Sequence, residues 1–179
     1  LLSSPFGELN ENQEEMLAAA DSSIGAADTE VRRLRLLVDL DRGAIASVPQ
    51  ATGLSELLRP SRAITEARAR AAHVDFRAHV SDAAPRVVAD PVHAQSALTA
   101  IFGDIVSRMP AGGQMEVSAF ESDAGRIRIT VTHHAAIPQK AASLDMRVAT
   151  RLLSLEHGSL LQEPARTTIE LPGESLPAT

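Results

Sequence analysis

The chain has 179 residues, a length that allows one or two domains with a sizeable core. Hydrophobic residues make up 44% and charged residues 22% of the sequence, as is usual for a globular protein. The net charge of −6 argues against a surface for nucleic acid or for an anionic membrane. With no cysteine, disulfides and thiolate metal sites are excluded, and no apolar run approaches the ~20 residues that span a bilayer. We therefore expect no nucleic-acid partner, no membrane contact by this segment and a cytoplasmic location.

The first predicted element is a long helix that begins at Asn10-Glu-Asn-Gln13. Its apolar positions, from Met16 onward, recur every three or four residues, which is typical of a helix packed lengthwise against others in a bundle. Within this stripe we predict a homodimer interface formed by Ile24, Ala27, Val31, Leu34 and Val38. Because the sequence starts at Leu-Leu-Ser-Ser-Pro, we expect an upstream part of the protein to precede it.

The elements that follow alternate between helix and strand. In chain order they are a linker at 49–53, a helix at 54–72, strands at 74–80 and 87–89, a helix at 91–109, a hairpin at 115–120 and 127–131, a helix at 143–156 and a last hairpin at 160–162 and 167–171. Asp90 is the expected N-cap of the third helix, and Pro91 suits its first turn. His157, at the end of the last helix, suits the negative end of the helix dipole. The tail, 173–179, is expected to be disordered.

This order of elements resembles the ATP-binding domain of bacterial sensor histidine kinases. In that family a strand leads to an aspartate, a long helix, a glycine-containing turn and a hairpin, and Asp90, Leu98 and Pro110-Ala-Gly-Gly113 fall on those positions. The chain is also similar to histidine phosphotransferases that carry a pseudo-ATPase domain. The resemblance implies an α+β fold, in which part of a helical dimerisation hairpin precedes an α/β sandwich with a mixed sheet and about three helices on one face.

The N-terminal segment is similar to the second helix of the family's dimerisation hairpin. Among others, Phe6, Gly7, Gln13, Asp39 and Gly43 fall on its pattern. The resemblance divides the chain into a dimerisation region at 1–48, a linker at 49–53, a degenerate ATPase-like domain at 54–172 and the tail. It also places the phosphoacceptor histidine upstream of Leu1, because none of the six histidines present is followed by the acidic residue typical of that site.

The resemblance fails where the family holds its nucleotide. There, an asparagine coordinates magnesium, an aspartate in a glycine-containing turn binds adenine, a G-x-G loop meets the phosphates at a helix N-terminus, and a lid covers them. The corresponding positions are Asp104 for the magnesium asparagine, Ala100 for an earlier asparagine, Thr132 or His133 for the adenine aspartate, and Ser143 and Asp145 for the phosphate-loop glycines. The lid has shrunk to about four residues, 139–142. We therefore predict that these positions bind no cofactor.

Other chemistry finds little support in the sequence. The pair His133-His134 is a poor chelate because adjacent residues of a strand point to opposite faces, and we expect it to end a strand facing solvent. No nucleophile motif such as G-x-S-x-G occurs. We predict neither a catalytic residue nor a metal site.

Three functions remain open from the sequence. The leading hypothesis is a degenerate histidine-kinase-like protein of two-component signalling, a dimeric scaffold or regulator that does not use ATP and that binds a response regulator or another signalling protein. The first alternative is a histidine phosphotransferase that relays phosphate between response regulators. The second is a working kinase with a divergent nucleotide site, in which Asp104 would still ligate magnesium.

Overall fold

The computed structural model describes residues 10–80, 85–122, 125–133 and 142–174. Its elements, in chain order, are α1 (Glu11–Asp41), β1 (Gln50–Gly53), α2 (Leu54–Ala71), β2 (Asp75–His79), β3 (Arg86–Ala89), α3 (Pro91–Arg108), β4 (Gln114–Glu121), β5 (Arg126–His133), α4 (Leu144–Leu155), β6 (Ser159–Glu163) and β7 (Arg166–Pro172). The predicted helices and strands are confirmed, with ends that differ by at most two residues from α2 onward, whereas β1 was not predicted.

Five strands form a mixed sheet in the order β2-β4-β5-β7-β6. Strand β2 runs parallel to β4, whereas the other neighbours are antiparallel. Helix α3 packs between α2 and α4, and the three helices cover one face of the sheet. The α+β fold with a mixed sheet and three helices on one face is thus confirmed.

The core lies between this helical layer and the sheet. In β5 every second side chain is buried, as expected for a strand with one face against helices. The largest fully buried side chains include Phe102, Leu98, Ile101, Met115, Ile127, Ile129, Met146, Leu153, Ile169 and Leu171. Aliphatic residues therefore supply most of this core, as the scarcity of aromatic residues (2%) requires.

Helix α1 begins with a capping box, in which the Asn10 side chain accepts from the Gln13 amide and the Gln13 side chain accepts from the Asn10 amide. Near its C-terminal end the helix packs against α4, where Leu37 is buried. The predicted interface stripe, by contrast, is exposed within this single chain. Among the described residues, none of the helices combines the length and apolarity needed to cross a bilayer.

Two segments differ from the sequence prediction. The predicted linker at 49–53 contains β1, which pairs antiparallel with β3 in a small second sheet. Four residues that end in a glycine are too few to show the alternation of a strand. The partner strand β3 lies more than 30 residues away, so no local signal such as a hairpin turn indicates the pairing. Gly173, predicted to begin the disordered tail, bridges to Val87, and the rest of the tail beyond residue 174 lies outside the described residues.

Candidate functional site

Asp104 sits in the C-terminal half of α3, at the position that the resemblance assigns to the magnesium ligand. Its side chain is almost completely buried, with 6% exposed. Nη2 of Arg108, one helical turn later, lies 2.9 Å from Oδ1 and 2.8 Å from Oδ2. A guanidinium therefore already neutralises this carboxylate through both of its oxygens.

A second arginine reaches the same region from α2. A Cβ atom added at Gly103 would collide with the guanidinium of Arg68. The Arg68 side chain therefore lies against α3 at the residue that precedes Asp104. A side chain at position 103 would make the end of the Arg68 side chain move aside. Ala100, which stands where the family's earlier asparagine would be, faces a groove of about 460 Å³ that Arg68 also lines. The groove side of α3 thus has an apolar methyl group where that asparagine amide would be.

The two candidates for the adenine position point to opposite faces of the sheet. Thr132 lines a shallow cavity of about 620 Å³ on the open face, away from the helices. His133 lies on the helix-covered face and is 2% exposed. The prediction that His133 faces solvent is therefore wrong, because the alternation of β5 continues through its last residue and turns that residue inward. Of the two, His133 is the one on the side of α3 and α4.

The positions that the resemblance assigns to the phosphate loop have partners within the chain. The Ser143 side chain caps α4 by accepting from the amide of Met146, so one free donor of this helix N-terminus is already satisfied. Asp145, in the first turn of α4, forms an ion pair with Arg33 of α1 at 2.7 Å. The positions predicted to have lost the phosphate contact thus hold a cap and an interhelical ion pair. His134 and most of the shortened lid lie outside the described residues.

A separate polar cluster lies at the other end of α3. Glu156, the C-cap of α4, is 1% exposed, and its Oε1 lies 2.8 Å from Nδ1 of His93. Its Oε2 accepts from the amide of Asp90 at 2.7 Å and from the hydroxyl of Ser47 at 2.9 Å. This cluster joins the start of α3, the end of α4 and the connection that follows α1.

Asp90 fulfils its predicted role as the N-cap of α3, accepting from the amides of Val92 and His93. Burial by itself raises the pKa of this carboxyl. Backbone donors at Val48, Val92 and His93, together with the charge of His93, outweigh that effect and bring the pKa of Asp90 below its usual value. Asp90 is therefore held in its charged form as a structural acceptor.

Across the described ranges, no three His, Asp or Glu side chains are arranged to bind a metal ion. The acceptors of Asp90 and Glu156 are already taken up by backbone amides, a hydroxyl and an imidazole.

Sequence reasoning missed three of these contacts. The Asp104–Arg108 pair had a local signal, since an aspartate and an arginine four residues apart share a helix face. The Arg33–Asp145 and Ser47–Glu156 contacts join residues more than 100 positions apart, so no local sequence pattern could predict them. His157 ends α4 as predicted, though through a left-handed backbone (φ 55°) and a carbonyl that accepts from Arg126.

Comparisons of sequence find no matching protein-family model and no similar curated protein. Comparisons of structure find histidine kinases. The histidine kinase AdeS of Acinetobacter baumannii superposes with a TM-score of 0.75 at 13% identity, over 96% of this chain and 89% of that chain. Full-length ShkA, solved in complex with AMPPNP, superposes with a TM-score of 0.81 at 20% identity, over 96% of this chain and 41% of that one.

A third similar structure is the histidine kinase ThkA in complex with the response regulator protein TrrA. It superposes with a TM-score of 0.70 at 15% identity, over 96% of this chain and 54% of that one. All three alignments extend through α1 as well as the α/β domain. The chain therefore has the fold of a histidine-kinase core, in which a helix of the dimerisation hairpin precedes an ATPase-type α/β domain.

Proposed function

We propose that this chain is a degenerate histidine-kinase-like protein of two-component signalling, a dimeric scaffold or regulator that does not use ATP. The observation that supports the proposal most is the buried Asp104–Arg108 ion pair at the position of the family's magnesium ligand. A similar fold alone leaves kinase activity open. The proposal that the chain does not use ATP therefore rests on the residues at the nucleotide positions.

Magnesium requires oxygen ligands at about 2.0–2.1 Å in a near-octahedral shell. Both oxygens of Asp104 face Arg108 Nη2, so a metal ion would have to displace the guanidinium and leave that cation in a largely buried place. Removing one partner of a buried ion pair costs about 3–5 kcal/mol. The arginine thus supplies, within the chain, the positive charge that the metal would bring.

The two ends of a nucleotide would also lack partners. At the adenine end His133 replaces a carboxylate, and an unpaired buried donor costs about 1–3 kcal/mol. At the phosphate end the carboxylate of Asp145 would repel the ligand while Ser143 occupies a helix donor. Because every ~1.4 kcal/mol is a factor of ten, these losses would weaken a micromolar site to millimolar affinity or beyond.

The proposed partners follow from α1 and from one structural relative. The exposed stripe on α1 includes Ile24, Val31, Leu34 and Val38, which a second copy of the chain would cover in a helical bundle. ThkA, one of the similar structures, was solved with a response regulator, and we propose that class of protein as the signalling partner.

The test is nucleotide binding by the unmodified chain. We expect no calorimetric signal and no increase in melting temperature with millimolar Mg-ATP or Mg-ADP. Binding in the micromolar range, or phosphate transfer from labelled ATP, would revive the working kinase and overturn the proposal.

A restoration variant tests whether the substituted positions alone account for the expected lack of nucleotide binding. The variant combines Asp104→Asn with Arg108→Ala, His133→Asp and Asp145→Gly. We chose His133 over Thr132 because Thr132 faces away from the helices. Arg62→Ala, which removes an exposed arginine paired with Glu66 at the same spacing on α2, is the matched control. With the shortened lid unchanged, we expect neither the combined variant nor the control to bind nucleotide below millimolar concentration.

A further inference from the structure

The connection between α1 and β1 is fastened to the α/β domain at two adjacent residues. The hydroxyl of Ser47 donates to Oε2 of Glu156 at 2.9 Å, and the amide of Val48 donates to Oδ2 of Asp90 at 3.1 Å. Both acceptors belong to helix ends, Asp90 to the start of α3 and Glu156 to the end of α4. The chain leaving α1 therefore meets the helical layer at one polar point.

Glu156 is placed where a carboxylate is unfavourable for its own helix. It lies at the C-terminal end of α4, where the helix dipole is negative, and His93 lies in the first turn of α3, where the dipole is positive. Each group would be better placed at the opposite end of its helix. A carboxylate that is 1% exposed must also be hydrogen-bonded to be tolerated. Its hydrogen bonds to Ser47, Asp90 and His93, in two other chain segments, supply these partners.

The charged groups facing His93 are both carboxylates. Glu156 Oε1 lies 2.8 Å and Asp90 Oδ2 3.9 Å from His93 Nδ1, and the imidazole is largely buried. Removing Glu156 would leave the Ser47 hydroxyl, the Asp90 amide and the His93 ring without this shared acceptor. The cluster of Ser47, Val48, Asp90, His93 and Glu156 is therefore a single unit, called here the hinge latch.

Other polar links between α1 and the domain are more open to solvent. Arg33 and Asp145 are 33% and 29% exposed, and Arg151 and Asp41 are more exposed still. Ion pairs on a protein surface are weak and are screened by salt. The hinge latch, with Glu156 buried at its centre, is a sounder candidate for fixing the direction in which α1 leaves the domain.

We propose that the hinge latch, together with the apolar contact of Leu37 on α4, fixes the orientation of α1 against the α/β domain, and that this orientation becomes variable when Glu156 no longer holds Ser47. Glu156 acts in this as a positioning residue. The inference does not depend on the absence of nucleotide binding, because the latch is at the N-terminal end of α3 and Asp104 is near its C-terminal end.

The chain has no native cysteine, so spin labels can be attached at two introduced cysteines without further changes. We would label Ala18→Cys on α1 and Ala111→Cys in the turn after α3, both of which are exposed. Pulsed dipolar spectroscopy then measures the distance between α1 and the domain. Dilution with unlabelled protein restricts the signal to distances within one chain.

The test variants are Glu156→Gln, whose amide can accept through only one of its two terminal atoms, and Ser47→Ala. Their matched controls are Glu163→Gln on β6 and Ser154→Ala, in which the lost hydroxyl bonds only to its own helix. We expect one narrow distance distribution for the parent and both controls. Glu156→Gln should at least double its width, and Ser47→Ala should broaden it to a smaller extent.

Hydrogen exchange of the Val48 amide gives a second readout. This residue is exposed, so its protection rests on the bond to Asp90, and we expect at least tenfold faster exchange in Glu156→Gln. If Glu156→Gln does not fold by circular dichroism, Ser47→Ala decides the outcome alone. A folded variant with the parent's distance distribution and the parent's Val48 exchange rate would overturn the proposal.

Discussion

Helix α1 has two apolar faces that differ in what covers them. Leu37, on the face toward α4, is 7% exposed, and Leu36 and Leu40 pack beside it against the core. Val31, on the opposite face, is 62% exposed, and Ile24, Leu34 and Val38 of the same stripe are exposed as well. Similar side chains on one helix thus serve two partners. The chain itself covers one face, and the other is available to a second molecule.

The open face and the domain face of α1 should respond differently to mutation. Changes on the open face should alter assembly and leave the fold of the chain intact. Changes on the domain face should alter stability and leave assembly intact. A variant that did the reverse would break the distinction.

The largest effect is expected from Val31→Asp combined with Leu34→Asp. Each large apolar side chain that a dimer buries contributes roughly 1.5–3 kcal/mol, and the variant also places four carboxylates in the interface of a pair of chains. We expect the dissociation constant of the dimer to rise by more than ~100-fold. Sedimentation velocity over a concentration series measures it.

The matched control is Arg32→Asp combined with Arg35→Asp, on the polar side of the same helix, where both arginines are exposed. This variant should remain dimeric, and both variants should keep the helical circular dichroism of the parent. A Val31→Asp/Leu34→Asp protein that sediments as a dimer would refute the bundle assignment of the stripe.

Leu37→Ala tests the domain face. Truncating a buried leucine costs about 2–5 kcal/mol, and since Leu37 lies at the margin of the core we expect about 2–3 kcal/mol. Urea unfolding followed by circular dichroism measures the loss, and sedimentation should give an unchanged dimer. A loss below ~0.5 kcal/mol would mean that α1 is only loosely docked on α4.

The sequence distinguished these faces incompletely. Helical spacing predicted the stripe from Ile24 to Val38, and it indicated that Leu36, Leu37 and Leu40 widen the apolar surface. It could not say that the second group faces the chain's own α4, because that depends on how the connection after α1 turns. Periodicity reports which residues share a face but carries no information about what lies opposite.

The same limit explains which parts of the candidate site were found. The cap at Asp90 follows from a local signal and is confirmed, whereas the assignment of Asp104 to the magnesium position rests on the family pattern alone and stays a prediction. The inward orientation of His133 depended on where β5 ends, which is the least certain feature of a strand. The latch joins Ser47 to Glu156 across 109 positions, so only the folded chain brings them together.

The smallest effect concerns two ion pairs formed by adjacent arginines. Arg33 pairs with Asp145 across the domain face, with side chains 33% and 29% exposed. Arg32 pairs with Asp28 within α1, with side chains 80% and 57% exposed. Burial weakens the screening by water and salt, so the pair that crosses to α4 should be the stronger one.

Double-mutant cycles to alanine on both pairs measure this directly from unfolding free energies. We expect a coupling of about 0.5–1 kcal/mol for Arg33–Asp145 and about 0.3 kcal/mol for Arg32–Asp28, with the first less sensitive to salt than the second. Arg33 also contacts Glu30 in its own helix, so the cycle includes Glu30→Ala as a background that leaves the interhelical contact in place. Equal coupling in the two cycles would mean that α1 does not hold its place against α4 in solution. A larger value for Arg33–Asp145 that persists in high salt would mean that Asp145, at the position that the resemblance assigns to the phosphate loop, helps to dock α1 on α4.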